Sequence, residues 1–367
     1  MSSSTAPTIT AWAAVSPFGI GRKVFRDGLL ADAPAAPGEP AGPDAGAFTV
    51  PGFDAREVLG KKGTRSMDRV TALAAATVGE LLRTTPGLAD EAGPHPRRAI
   101  VLGTTTGSAQ SMMDFTRSSL TEARPYLVDP ARFPNTVMNC AAGACAIRYQ
   151  LKGPNATIGG GRAAGLHALN YARRLHRTGR AGSVLCGGAE EYTAARAWLQ
   201  HHARPDGDER AVLGEGCAMV FIEPAGAGGD ERPGLAEVLA VEFGVHDDQA
   251  GPAEVLAGCV RRALEAADAA PDRVWAVAPG GAAGPLGEGE RAGLAQALGG
   301  AAPRRVTCAP LIGDTSAAAA SFQLVSLLAL AESDPAAAGR LALVTAVDPG
   351  GTVGCAVLRM LGTGPAA

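Results

Sequence analysis

Four short runs of β type, AIVLG (99–103), SVLCGG (183–188), VWAVA (274–278) and LALVTAV (341–347), alternate along the chain with stretches of helical character. A chain with that rhythm stacks helices on a sheet, so the fold class is α/β. Residues 251–270 predict an amphipathic helix, because Val255, Leu256, Cys259, Val260, Ala263, Leu264 and Ala267 recur at helical spacing behind Pro252, a favourable first-turn residue. The window AAAASFQLVSLLALA (317–331) is too short and too interrupted by Ser and Gln to span a bilayer, and reads as a buried core helix. At 367 residues the chain exceeds the usual size of one core, which implies two domains or a duplicated one. GRAGSVLCGGAEE (179–191) and GRLALVTAVDPGG (339–351) each run a polar turn into a buried strand and a small-residue loop, a weak internal repeat. Residues 30–46 are a Pro/Gly/Ala-rich surface loop, and the connection 223–234 divides an N-terminal half, 1–225, from a C-terminal half, 234–367.

Several function classes are excluded by composition. The formal net charge is −3, with no stripe of Lys and Arg, which argues against a nucleic acid or an anionic membrane as partner. No basic segment precedes an apolar run at the N-terminus, so a cytoplasmic protein is expected. Seven scattered cysteines without C-x-x-C spacing suggest neither a disulfide framework nor a metal site, and no cofactor is called for.

One stretch has the build of a tight turn that lifts a side chain at the start of a helix: GPNATIGGGRAAG, residues 153–165. Gly159, Gly160 and Gly161 allow the backbone positive φ and close approach. The lifted residue is Arg162, which stays protonated and is neither nucleophile nor base. Gly159, Gly161 and Gly165 also form a loose dinucleotide fingerprint, but no convincing long strand precedes it and the acidic pair Glu190 and Glu191 lies slightly too far along. A nucleophile at Cys140 or Cys145, in NCAAGAC, would make the chain an acyltransferase or hydrolase; against it, free cysteine is among the most buried residue types. His167 and His176 on the elbow helix, and His201 and His202 on the next, read as surface or partner-facing residues. His95 and His246 fall in loops.

Taken in order, LKGPNATI, the elbow, GGAEE, LGEGCAMVFIEP, GDTSAAAA and DPGGTVGCAVL resemble the β-ketoacyl synthases of the thiolase superfamily over nearly the whole chain. The resemblance implies a duplicated five-layer α/β/α/β/α sandwich, the thiolase fold, working as a dimer. It also implies a cysteine on the elbow and two histidines that stabilise developing charge. Here those positions hold Arg162, Pro279 and Asp314; the accompanying lysine falls near Ala309, and the C-terminal gate reads Asp348-Pro349-Gly350-Gly351. The frame persists at Gly153, Pro154, Gly187, Gly188, Gly214, Glu215, Gly216, Gly350 and Gly351.

Lost chemistry on a retained frame resembles the chain length factors of type II polyketide synthases, whose familiar aromatic members carry glutamine on the elbow. That implies a heterodimer with an active ketosynthase, an acyl carrier protein reached mainly through that partner, and a growing polyketide chain in a shared tunnel. GSAQSMMDFTRSSL (107–120) resembles the segment placed at the interface beside the tunnel. Met112, Phe115 and Thr116 fall within about one helical turn there, and Met113 and Phe133 join them as tunnel or interface residues. The family's geometry brings the elbow and the second histidine position together, so Arg162 is expected to face Asp314, with backbone carbonyls and Glu215 as other partners. A decayed homodimeric scaffold is the competing expectation.

Overall fold

The computed structural model describes residues 6–43, 46–89, 93–203, 211–247 and 251–362, so positions 44–45 of the expected surface loop lie outside the described residues. The four β-type runs are strands of one large sheet, each apolar almost throughout because both faces are covered. The first half of that sheet holds β1 (Thr8–Ser16), β2 (Arg98–Thr104), β3 (Asn155–Gly159), β4 (Ser183–Glu190) and β5 (Gly216–Glu223), in spatial order β3-β2-β4-β5-β1. The second holds β6 (Ala236–Val245), β7 (Val274–Ala278), β8 (Arg304–Arg305), β9 (Leu341–Val347) and β10 (Thr352–Met360), in order β8-β7-β9-β10-β6. Strand for strand, the second order repeats the first. So do the directions: β3, β2 and β4 run parallel, then β5 and β1 antiparallel. The partners β8, β7, β9, β10 and β6 follow the same pattern. The halves join where β1 and β6 pair at Thr8–Glu237 and Ile9–Ala236.

The helices that layer this sheet are α1 (Arg69–Thr84), α2 (Ala109–Thr121), α3 (Cys140–Arg148), α4 (Ala164–Arg177), α5 (Ala194–Ala203), α6 (Pro252–Ala266), α7 (Gly284–Leu298) and α8 (Ala319–Ala331). α4 and α8 form the middle layer, since each touches strands of both halves. α1 and α3 cover the outer face of the first half, and α6 and α7 that of the second. The result is the five-layer duplicated sandwich. Every residue of α8 is buried, as its apolar sequence requires. Two of its polar side chains are anchored: Gln323 Nε2 donates to the Ala278 and Thr345 carbonyls, and Ser326 Oγ to the Phe322 carbonyl. Gly165 on α4 permits the close approach of the two middle helices, for a Cβ there would lie 2.7 Å from Ser321 Oγ.

The helix expected over 251–270 stops at Ala266, where Asp268 turns into the left-handed region at φ 50°. Glu215, expected as a structural residue and a partner of Arg162, serves other groups. It is fully buried and accepts from Val50 N at 2.8 Å, Tyr192 N at 3.1 Å and Arg69 Nε at 2.8 Å, with a second bond from Arg69 Nη2. One carboxylate therefore joins three chain segments. Glu215→Ala would strand the guanidinium and two amides, and its expected cost is about 3–5 kcal/mol. Urea unfolding measures this, and a loss under about 1 kcal/mol would contradict that role.

Candidate functional site

The elbow forms where β3 gives way to α4 through a three-residue 3-10 turn, Gly161–Ala163. Gly161 takes φ 49°, and a Cβ on it would lie 2.0 Å from Asp348 Oδ2. Only glycine leaves room for that carboxylate. Asp348 Oδ2 accepts the Arg162 backbone N–H at 2.7 Å, and Oδ1 accepts Gly350 N at 2.8 Å. The amide that a helix N-terminus offers to an anion is thus occupied by a side chain of the same protein.

The Arg162 side chain is buried. Its Nη1 donates to Asp314 Oδ2 at 2.6 Å and its Nη2 to the Gly280 carbonyl at 2.7 Å, while Nε is buried without a hydrogen-bond partner among the described residues. The pairing expected between Arg162 and Asp314 is present as a direct contact. Asp314 is anchored in turn: its Oδ1 accepts Ser316 N at 2.8 Å, and its carbonyl accepts Arg196 Nη2 at 2.9 Å. Burial pushes the Asp314 carboxyl up, but the guanidiniums of Arg162 and Arg196 outweigh it and hold the group below the ordinary aspartate value. Pro279 is buried at the head of the third wall of this site. The turn after it is held by Glu290, which accepts Gly280 N at 2.8 Å, Gly281 N at 3.2 Å and Thr345 Oγ1 at 2.7 Å. Burial raises the Glu290 carboxyl.

The duplication explains the shape. α8 begins as α4 does, with a 3-10 turn, Ser316–Ala318, whose first residue has φ 42° where Gly161 has 49°. Serine is strained there. Bonds from Ser316 N to Asp314 and from Arg196 Nη2 to Ser316 Oγ at 3.2 Å hold it in place. Neither Arg162 nor Pro279 carries a nucleophile, both carboxylate oxygens of Asp314 are engaged by Arg162 and Ser316, and Pro349, beside Asp348, has no N–H to offer an oxyanion. Gly350 follows in the same turn, and Gly351 closes it at φ 94°.

The residues expected at a tunnel or interface lie elsewhere, on a surface. Met112, Met113 and Thr116 are exposed on α2, with Phe115 half-buried beside them. Phe115 meets Phe133, from the 3-10 turn Pro130–Thr136, edge-on with ring centroids 6.0 Å apart. Phe133 is 57% exposed, so this apolar face has no cover among the described residues. Met138, which sequence reasoning missed, links face and elbow: a Cβ on Gly107, just ahead of α2, would lie 2.8 Å from its Cα, and one on Gly159 3.3 Å from its Cε.

Other candidates part from this site. The dinucleotide reading fails because the Asp348 carboxylate fills the turn a pyrophosphate would need and Gly165 faces Ser321. Cys145 is fully buried with its thiol pushed far up, and burial also raises Cys140, whose Sγ donates to Asn135 Oδ1 at 3.3 Å. His167 is half-buried. It stacks on Phe243 at 4.0 Å, because α4 has strands against two of its faces. His246 approaches the Asp348 carbonyl through Nε2 at 3.0 Å.

A duplicated sheet of this order, with its helices in five layers, is the thiolase fold. Residues 27–227, more than half of the 367, match the Beta-ketoacyl synthase, N-terminal domain, and the chain belongs to that family. It is 45% identical to a chain of the ishigamide ketosynthase/chain length factor, with a TM-score of 0.89 over 97% of this chain and 100% of that one. A chain from the structure of AntDE:AntF, a type II PKS acyl-carrier protein in complex with its ketosynthase bound to the hexaketide, shares the fold at 17% identity and a TM-score of 0.77, over 97% of this chain and 100% of the other. Identity to 3-oxoacyl-[acyl-carrier-protein] synthase 2 of Vibrio cholerae is 28%, over 70% of this chain and 67% of that protein. The corresponding protein of Coxiella burnetii is 26% identical over 60% of this chain and 58% of its own length. No described helix is long and apolar enough to cross a membrane.

Arg162→Ala leaves Asp314 buried without its partner and is expected to cost about 3–5 kcal/mol in chemical unfolding. The lowered Asp314 value sets the sign of the pH effect: stability from the pair is full above the ordinary aspartate range and is lost as pH falls through the folded value. In Asp314→Asn the acid-side loss should shrink, and an unchanged acid limb in a pH series of melting curves would contradict this assignment.

Proposed function

We propose that this chain is a catalytically silent ketosynthase-like subunit, a chain length factor, that heterodimerises with an active ketosynthase and shapes the polyketide elongation tunnel of a type II synthase. The Arg162–Asp314 pair carries the reading. It fills the elbow with fixed charge where acyl transfer needs a nucleophile, and Asp348 takes the amide that an oxyanion would need. A protein with this frame and no reacting group acts through shape. Likeness to the ishigamide ketosynthase/chain length factor at 45% identity supports that class of role. The uncovered face around Met112, Met113 and Phe133 supplies a surface for the partner. On this reading the acyl carrier protein delivers substrate to the partner's cysteine in the cytoplasm, and the growing chain passes along α2.

The isolated subunit, cleared of contaminating synthase, is expected neither to become acylated nor to release carbon dioxide from malonyl thioesters, while co-expression with its ketosynthase gives a stable, active heterodimer on size exclusion. Arg162→Cys alone should stay silent, because Asp314 and Asp348 remain. An acyl adduct on the unmodified subunit, seen by mass spectrometry, would falsify the silent assignment. Met112→Trp or Thr116→Trp should shorten products and leave the complex intact, since a bulkier side chain narrows the tunnel; unchanged product length would remove α2 from the tunnel wall.

A further inference from the structure

We infer that Glu191 is a positioning residue for product length, fixing where α2 stands and linking that position to the filled elbow. The inference rests on the reading above and assigns a role to a carboxylate that the site does not use. Glu190 ends β4 and Glu191 follows it, so the two side chains leave the strand on opposite faces. Glu190 turns inward, accepting from the Thr105 hydroxyl and from Ala317 N at 3.4 Å in the first turn of the α8 entry. Glu191 turns towards α2. It is 1% exposed, yet Oε1 accepts Ser108 Oγ at 3.2 Å, Gln110 N at 3.3 Å and Thr193 Oγ1 at 3.4 Å, and Oε2 accepts Val70 N at 3.3 Å.

Those donors identify what the carboxylate holds. Ser108 caps α2, and Gln110 N lies in its first turn; Val70 N lies in the first turn of α1. A single buried carboxyl group, pushed up to about 7 chiefly by burial, therefore sits at the N-terminal ends of two helices and ties them to each other through its hydrogen bonds. Gln110 Oε1 extends the tie by accepting Ala195 N at 3.1 Å, at the start of α5. The carbonyl of Glu191 accepts Arg196 Nη1 at 2.7 Å, and the same guanidinium reaches the Gly214 and Asp314 carbonyls. The route from Asp314 to the cap of α2 is thus continuous through Arg196 and Glu191. Met112 stands two residues beyond Gln110, so a loosened first turn carries that side chain with it. All four bonds to the Glu191 carboxylate are at the long end and each contributes modestly, so it is their convergence on one group that holds the start of α2.

The test uses the purified complex with its ketosynthase and malonyl-loaded acyl carrier protein, reading product lengths by mass spectrometry. Glu191→Ala is expected to assemble and to lower the share of the parental product about fivefold against neighbouring lengths, the effect of one lost hydrogen bond. Hydrogen exchange at Gln110 should quicken alongside. Glu191→Gln, which keeps an acceptor towards Ser108 and Gln110, should restore the parental distribution. If Glu191→Ala lowers turnover or melting temperature but leaves the distribution unchanged while Met112→Trp still shortens products, the inference is overturned and the chain-length reading stands. If neither variant moves the distribution in an active complex, the chain-length reading fails with it. Should Glu191→Ala not assemble, Ser108→Ala decides: the same spread supports the role of Glu191, and a parental distribution overturns it.

Discussion

A direct ion pair between Arg162 and Asp314 closes the centre of the sandwich, and the surrounding turns are arranged to make it tolerable. The two middle helices begin close together, which brings two positive helix ends into one buried space. Each end receives a carboxylate: Asp348 at the Arg162 amide, Asp314 at the Ser316 amide. The guanidinium of Arg162 then neutralises Asp314 and takes the Gly280 carbonyl. Arg196 secures the same corner from the other side through the Gly214 and Asp314 carbonyls. An arginine at a helix start is unfavourable alone; with two carboxylates supplied by the second half of the chain it becomes the joint between halves.

The chain is closed where a related enzyme would react and open where it would meet a partner. At the elbow nearly every polar group has an internal acceptor or donor, the Arg162 Nε excepted. On α2 and the Pro130–Thr136 turn, by contrast, Met112, Met113 and Phe133 stay exposed together. Burial is concentrated where charge must be balanced, and apolar surface is left over where a second protein can cover it. The two features complement each other on the proposed reading, in which the chain contributes surface rather than a reacting group.

Much of this was legible in the sequence, for reasons specific to particular residues. The β-type runs were readable because strands covered on both faces are continuously apolar, as LALVTAV is from Leu341 to Val347. Gly161 was readable because a positive φ next to a lifted side chain leaves few other residues. Facing of Arg162 and Asp314, which are 152 positions apart, came only through family geometry. The Asp348 contact spans 186 positions and leaves no local pattern at all. The stacking of His167 on Phe243 was not legible, because helical periodicity assumes one buried face, whereas α4 has strands on two. The end of α6 was missed for a local reason, an aspartate taking the left-handed conformation that glycine usually marks.

The same joint bears on how such a chain can change over generations. Replace Arg162 by any neutral residue and Asp314 keeps a buried charge without its partner; replace Asp314 and the guanidinium is stranded instead. Restore a thiol at the elbow and Asp348 still fills the amide, while relieving Asp348 removes the carboxylate at the α4 entry. Each such change therefore passes through a less stable protein. The pair works as a ratchet: a lineage that has acquired it is held to the filled elbow by folding energetics, whatever the selection on activity.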